Sequence, residues 1–235
     1  MELAARIRAL PWQDMEASLW ERGYAHAGPL LNRDECDALA GLYARDELFR
    51  SRIDMARYRF GAGDYKYFGY PLPDAIRTLR EHFYPPLAGI ANAWMEALAS
   101  DERYPETLAE LAARCHAEGQ TKATPLLLHY EAGGYNCLHQ DIYGDIAFPM
   151  QVVCFLSQAG RDFTGGDFLL VEQRPRAQSI GEAIHASQGD IVVFTTRYRP
   201  VKGSRGYYRA NLRHGVSRLL SGTRYTLGII FHDAR

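Results

Sequence analysis

Two short segments place metal-ligating side chains close together in a predicted sheet. In the segment 135–141 (YNCLHQD), His139 and Asp141 are two residues apart on a predicted strand, so both side chains point to the same face. A third ligand type, His214, lies in the later predicted strand 211–216. Two imidazoles and a carboxylate on one side of a divalent metal leave its other positions open, as in non-haem Fe(II) centres. We therefore predict a metal site formed by His139, Asp141 and His214.

An arginine in an otherwise apolar segment is the second chemical signal. Arg224 lies on the predicted strand that follows His214. A guanidinium inside a β barrel is costly unless it meets an anion, and its planar fork fits a carboxylate. Thr226 is two residues further on the same face, where its hydroxyl could bind the same anion. A dicarboxylate that bridges the metal and Arg224 explains this pattern.

The chain has eight histidines, and most of them are expected to be structural. His185 and His232 are the competing ligands, but neither is followed by an arginine at the spacing of Arg224, so both are interpreted as strand-end residues. In the alternative interpretation of the predicted site, His139, Asp141 and His214 are also strand-end polar residues and bind no metal.

The second half of the chain contains the elements that must position these residues. From residue 121 onward, short β-rich runs are separated by Gly, Asp and Pro, a pattern typical of an all-β sandwich or barrel. Eight strands, the number of a jelly roll, are predicted at 123–131, 135–141, 147–156, 167–171, 178–185, 191–195, 211–216 and 223–232.

The first half shows helical periodicity. Asn32 and Glu35 form a capping signal for a helix over 34–44, and a longer helical pattern over 74–99 should break or kink at Pro85-Pro86. Pro105 is suited to the first turn of a helix that ends near His116. We predict an α+β fold with a mainly β core, a double-stranded β-helix (jelly roll) with N-terminal helices packed on one sheet. It forms one domain, with a helical flank over 1–120 and a catalytic core over 121–235.

Composition excludes several classes of protein. The 235 residues carry a formal net charge of -1, which provides no overall field for binding nucleic acid or an anionic membrane. None of the four cysteines forms a CxxC pair, and the apolar runs are too short for a membrane-spanning helix. We expect a reduced, cytoplasmic protein with no membrane partner.

The motifs together resemble the Fe(II)/2-oxoglutarate-dependent oxygenase superfamily, most closely its prolyl 4-hydroxylase-like branch. Besides the three candidate ligands, the resemblance rests on the turn 163–168 (FTGGDF), the strand start 189–194 (GDIVVF) and the His-x-Val spacing at His214. It implies that His139, Asp141 and His214 hold Fe(II) and form the catalytic centre. It also implies that Arg224, with Thr226, holds the distal carboxylate of 2-oxoglutarate, with Tyr130 as a further co-substrate contact.

This resemblance implies a dioxygenase that uses O2 and releases succinate and CO2, with ascorbate as a candidate reductant. Hydroxylation is expected rather than halogenation, because Asp141 occupies the position that is small in related halogenases. The substrate is predicted to be a prolyl or other peptide side chain, or a small metabolite. The alternative is a non-catalytic jelly-roll module that binds a metal or ligand.

Two further segments leave alternatives open. The segment 197–213 is rich in arginine and tyrosine; it could contact nucleic acid, but we favour a solvated loop because the whole chain is not basic. The aromatic cluster over 58–70, with glycines among its rings, is either a substrate lid or core packing between helices and sheet.

Overall fold

The computed structural model describes residues 2–235, which form a mixed α/β structure made mostly of β sheet. Its α-helices are α1 (Leu3–Arg8), α2 (Trp12–Arg22), α3 (Arg33–Gly41), α4 (Asp74–Ala97) and α5 (Leu108–Ala117). Short 3-10 helices span Leu42–Ala44, Asp46–Leu48 and Ala56–Tyr58. Within residues 2–235, no helix is both long and apolar enough to cross a membrane.

The strands, in chain order, are β1 (Tyr24–Ala27), β2 (Phe49–Asp54), β3 (Gly61–Ala62), β4 (Asp64–Phe68), β5 (Leu126–Glu131), β6 (Tyr135–His139), β7 (Met150–Phe155), β8 (Phe163–Gly165), β9 (Phe168–Gln173), β10 (Ile180–Ile184), β11 (Ile191–Thr195), β12 (Tyr198–Gly203), β13 (Gly206–Val216) and β14 (Leu219–Ile229). The first sheet has the order β1-β11-β7-β14-β5-β4-β2, with β8 paired to β14. The second has the order β10-β9-β13-β6-β3, with β12 paired to β13.

The first sheet lies between the helices and the second sheet. Side chains such as Val152 and Leu227 on one of its faces join the core formed with Phe83 and Leu87 of α4. On its other face, Val153 packs in a cluster with residues of the second sheet. Because both faces are covered, β7 and β11 are buried along their whole length, which explains why their sequences are almost entirely apolar.

The mainly β core and the helices packed on one sheet agree with the predicted fold class. Each of the eight predicted strands is found; one matches at both ends, and the other seven have at least one end shifted by one to five residues. The capping signal is also confirmed: the Asn32 side chain accepts from the Glu35 N–H, and the Glu35 carboxylate accepts from the Asn32 N–H.

Three predictions about the first half are wrong. The predicted break at Pro85 and Pro86 is absent, since α4 continues through both residues, and its long buried face compensates for the hydrogen bonds that the two prolines remove. Thr107, not Pro105, begins α5, since its hydroxyl oxygen accepts the Glu110 N–H in a capping box. Residues 1–120 are also not only a helical flank, because β1 to β4 join the two sheets.

These N-terminal strands escaped the sequence analysis because they are short and their partners are remote. For example, β1 pairs with β11, and β4 pairs with β5. The solvated loop favoured for 197–213 is wrong for a related reason: most of it belongs to the β12–β13 hairpin. One face of β13 is exposed and polar there, so the segment lacks the apolar run of a buried strand.

Candidate metal centre and its cavity

The three candidate ligands converge in the structure. One ligand atom from each of His139, Asp141 and His214 lies within 4.8 Å of those of the other two. His139 Nε2 is 3.4 Å from Asp141 Oδ1, and His214 Nε2 is 3.2 Å from Asp141 Oδ2. The spacing and the donor set of two nitrogens and one carboxylate fit a divalent transition metal.

Strand pairing brings the two histidines together. His139 is the last residue of β6 and lies directly opposite His214 of β13 in an antiparallel register. Side chains opposite each other on one face of such a pair are close neighbours, and the two imidazole centroids are 4.2 Å apart. The Nδ1–H of His139 donates to the Cys137 carbonyl over 2.7 Å, which leaves Nε2 directed at the site.

Asp141 reaches the site in a different way from the one predicted. It lies beyond the end of β6, in the connection to β7, so alternation along a strand does not set its direction. Its two oxygens are held by side chains instead: the Tyr143 hydroxyl donates to Oδ1 over 2.6 Å and Gln151 Nε2 donates to Oδ2 over 2.9 Å. The predicted residue is therefore in place, but the predicted reason is wrong.

The charges of the three ligands depend on one another. Burial opposes ionisation of Asp141, but the neighbouring His214 and His139 outweigh it and hold the pKa of the carboxyl well below its usual range. Burial lowers the pKa of His214. Burial also disfavours the charged form of His139, but its hydrogen bond with Asp141 prevails and raises its pKa. These shifts favour the ionised form of Asp141 and the neutral form of His214, as metal binding requires, whereas a proton on His139 would be released when a metal binds.

The three ligands line a cavity of about 380 Å³ that also contains the other predicted site residues. Arg224, Thr226 and Tyr130 all line this cavity. Arg224 and Tyr130 lie opposite each other on β14 and β5, and alternation along β14 places Thr226 on the same face as Arg224. The structure therefore brings all six predicted residues to one cavity.

Arg224 is a buried cation with little compensation. Only 1% of its surface is exposed, and the rings of Tyr130, Phe155 and Phe163 surround its guanidinium at 5.7, 5.6 and 5.8 Å. Burial lowers its pKa to about 10. Among the described residues, neither Arg224 Nη1 nor the Tyr130 hydroxyl has a hydrogen-bond partner. Unpartnered buried donors are costly, so this part of the cavity fits the carboxylate of a ligand.

The competing histidines take other roles. His232 is buried outside the lining of this cavity, and its Nδ1 accepts the Phe148 N–H over 3.1 Å. His185 is 78% exposed and pairs with Asp167 over 2.8 Å. Both follow the ends of strands, β14 and β10 respectively, in agreement with the prediction.

Sequence reasoning missed Tyr143 and Gln151. A signal was available for Gln151, because it is the polar residue in the otherwise apolar strand β7. A buried amide in such a strand needs a partner, and here that partner is Asp141.

Some residues of the aromatic cluster over 58–70 pack in the core, and others lie at the cavity. Tyr67 and Phe68 are buried and belong to the core. Tyr58 and Phe60 are about half exposed, with ring centroids 5.6 Å apart, and Phe60 lines the cavity beside Arg59. Phe60 therefore forms part of the cavity mouth, and Tyr58 stacks on it from outside the lining.

Comparisons with known proteins also indicate an oxygenase. A family model, Oxygenase-NA, described as an oxygenase catalysing oxidative methylation of damaged DNA, matches residues 63–234. An uncharacterized protein of Mycobacterium tuberculosis strain H37Rv is 50% identical over 167 residues, which cover 71% of this chain and 72% of that protein.

Solved structures share the fold at low sequence identity. A prolyl-4-hydroxylase from Pseudomonas putida aligns over 100% of both chains, with a TM-score of 0.54 and 16% identity. A 2-oxoglutarate–Fe(II) oxygenase family protein from Burkholderia pseudomallei aligns over 97% of this chain and 95% of its own, with a TM-score of 0.56 and 14% identity.

Proposed function

The chain belongs to the Oxygenase-NA family of oxygenases, and from this premise we propose that it is an Fe(II)- and 2-oxoglutarate-dependent dioxygenase that hydroxylates its substrate. We assign its two facing sheets to the jelly-roll, or double-stranded β-helix, fold. The observation that carries the proposal is one cavity that holds both a two-histidine, one-carboxylate cluster and a buried arginine with an unpartnered donor.

In this assignment each residue has a defined role. His139, Asp141 and His214 hold Fe(II) and form the catalytic centre. Arg224, with Thr226, binds the distal carboxylate of 2-oxoglutarate, and the Tyr130 hydroxyl donates to the same co-substrate. The support for these roles is the juxtaposition of all six side chains around the cavity.

Bound Fe(II) and 2-oxoglutarate supply the oxidising chemistry, in which O2 provides one oxygen atom to a substrate C–H bond and the other to succinate, with loss of CO2. The protein contributes a low-polarity enclosure and a fixed ligand geometry. The Asp141 carboxylate fills the third ligand position, which favours hydroxylation over halogenation. Ascorbate is the proposed reductant that keeps the iron in its Fe(II) state.

The substrate reaches the centre through the mouth of the cavity. Arg59, Phe60 and Leu138 line that side, and Phe60 and Leu138 are both large and exposed. Exposed apolar side chains at the entrance to a pocket favour contact with a partner or substrate. A prolyl or other peptide side chain, or a small metabolite, is the proposed substrate.

Anaerobic titration of the metal-free protein tests the cofactor pair. Addition of Fe(II) and then 2-oxoglutarate should produce the visible metal-to-ligand charge-transfer band in the wild-type protein. His139→Ala should abolish the band, and Arg224→Ala should shift it to much higher 2-oxoglutarate concentration. If the wild-type protein gives no band when the metal content and oxidation state are verified, the protein is instead a non-catalytic jelly-roll binding module.

Action on nucleic acid is a second candidate, favoured by the family description and by the surface next to the metal centre. Gln140, the neighbour of His139, donates to the Arg197 carbonyl over 2.8 Å, which places the β12–β13 hairpin beside the site. Arg197 directly precedes β12 and Arg209 lies on β13, and their guanidinium carbons are 5.9 and 4.9 Å from the Tyr198 ring centroid. Exposed cations with an aromatic ring are suited to a phosphate backbone and a stacked base.

Binding of a short fluorescent single-stranded DNA at two salt concentrations tests this candidate. We expect Arg197→Gln and Arg209→Gln each to weaken binding and to reduce the slope of log Kd against log salt by about one. The control is Arg77→Gln, which removes an exposed arginine of α4. Absent or salt-insensitive binding would exclude the nucleic-acid candidate.

A further inference from the structure

The segment that carries Asp141 is held by a buried amide rather than by strand pairing. Between the end of β6 and the start of β7, Gln120 Nε2 donates to the carbonyls of Tyr143 and Ile146 over 3.1 and 2.9 Å. Gln120 Oε1 accepts the Ile146 N–H over 2.9 Å, and the Gln120 side chain is fully buried. The backbone on the C-terminal side of Asp141 is therefore fixed in position.

With the backbone held in this way, the direction of the carboxylate depends on its own two hydrogen bonds. Tyr143 donates to Oδ1 and Gln151 donates to Oδ2, so each oxygen has a separate neutral donor. Gln151 belongs to β7 and pairs with Phe194 of β11, which places its amide on a strand with neighbours on both sides. Its Nε2 atom is also 3.5 Å from His214 Nε2, so one amide lies against two of the three candidate ligands.

A carboxylate can bind a metal through one oxygen or through both. Turning Asp141 so that both oxygens face a metal would break at least one of its two hydrogen bonds. In a buried site a broken hydrogen bond leaves an unsatisfied polar group, which is costly. The two donors therefore favour binding through a single oxygen.

We propose that Tyr143 and Gln151 are positioning residues that keep Asp141 a single-oxygen ligand and so leave coordination positions open for the co-substrate and O2. This inference rests on the proposed metal site, but it concerns residues that do not contact the metal. Residues that orient a metal ligand in this way usually contribute about 10- to 100-fold to metal affinity.

Binding of Co(II) to the metal-free protein tests the proposal without turnover. Co(II) is suitable because the intensity of its visible d–d bands changes with coordination number. We expect Tyr143→Phe and Gln151→Met each to weaken Co(II) binding by about 10- to 100-fold and to change the d–d spectrum. Tyr143→Phe keeps the ring that faces Tyr67 and His232, so it removes only the hydroxyl.

Two control variants separate positioning from general stability. Tyr84→Phe removes a buried hydroxyl that donates to the Pro105 carbonyl over 2.9 Å. Gln188→Met removes an amide that donates to the Leu156 carbonyl over 2.9 Å. Neither residue lines the cavity, so both variants should bind Co(II) with wild-type affinity and spectrum.

Each outcome has a distinct meaning. Wild-type Co(II) affinity and spectrum in Tyr143→Phe would overturn the positioning role. A lower melting temperature in this variant without a change in affinity or spectrum would overturn it as well. Because Tyr143 is not deeply buried, this variant remains informative even if Gln151→Met fails to fold. A wild-type protein that binds no Co(II) would instead overturn the proposed metal site itself.

Discussion

The two ends of the cavity differ in how completely the protein satisfies its own polar groups. At the metal end, both Asp141 oxygens accept hydrogen bonds and the imidazole of His139 is oriented by a backbone carbonyl. At the other end, Arg224 Nη1 and the Tyr130 hydroxyl find no acceptor in residues 2–235. The protein itself thus satisfies the polar groups of the metal end, whereas the donors of the arginine end would be satisfied by the proposed ligand.

This difference has an energetic consequence. A buried guanidinium without an anion lowers the stability of the ligand-free protein, and an anion that binds there restores it. A site of this kind lowers the stability of the ligand-free protein but raises its affinity for the anion. The fully paired Arg80 provides a reference within the same chain, because its guanidinium meets Asp233 over 2.6 Å and is also buried.

Among the variants that test this difference between the two ends, Arg224→Met is expected to have the largest effect. The variant should weaken 2-oxoglutarate binding by about 100-fold or more, since losing the partner of a buried charge costs roughly 3–5 kcal/mol. The metal affinity should stay near the wild-type value. Anaerobic titration calorimetry with Co(II) and 2-oxoglutarate measures both affinities.

Measurements of the free energy of unfolding test the difference between the unpaired Arg224 and the paired Arg80. Arg224→Met should leave the free energy of unfolding of the ligand-free protein unchanged or raise it, because an unpaired buried charge is removed. Arg80→Met should lower it by roughly 3–5 kcal/mol, because the buried Asp233 then loses its buried cation and keeps only the half-exposed His116 as an ion-pair partner. Urea denaturation of both variants checks this prediction, and a stability loss of similar size in the two would contradict the difference between them.

The free energy of unfolding is expected to depend on pH through His232, a buried residue that lies at neither end of the cavity, and the effect should be of intermediate size. Burial lowers the pKa of His232 to about 4, against about 6.5 in an unfolded chain. As the pH falls from about 6.5 to 4, the unfolded state binds the proton first, so the free energy of unfolding should fall by up to about 3 kcal/mol. His232→Gln should flatten this part of the profile, and a parallel profile in the variant would assign the dependence to other groups.

The smallest effects are expected for the two neutral groups near Arg224. Tyr130→Phe should weaken 2-oxoglutarate binding by about 3- to 10-fold, the usual contribution of one hydrogen bond. It should not destabilise the ligand-free protein, since the hydroxyl has no partner to lose among the described residues. Thr226→Val should have a similar or smaller effect on affinity. Wild-type affinity in both variants would restrict the co-substrate contact to Arg224.

The candidate site was predictable to the extent that it depends on residue types in buried strands. His214 and Arg224 are polar residues in segments that otherwise read as strands, and each needs a partner when buried. The opposite positions of His139 and His214 follow from strand pairing. The role of Asp141 was predicted from alternation along a strand that in fact ends before it.

The fold was predictable where local patterns are strong. Capping chemistry marked the start of α3, and mainly apolar runs marked β7 and β11. The four N-terminal strands, β8, β12 and the first half of β13 were missed, because short strands and strands with an exposed face have little hydrophobic periodicity of their own.

The sequence alone therefore determined the set of groups that could do chemistry and the strands that carry most of them. Only the tertiary structure decided how Asp141 joins them. Tyr143 and Gln151 direct its carboxylate, and Gln120 holds its loop. Gln120 is separated from Asp141 along the chain by the strands β5 and β6. Such hydrogen bonds form between segments that pack together only in the folded chain, so no spacing along the sequence encodes them.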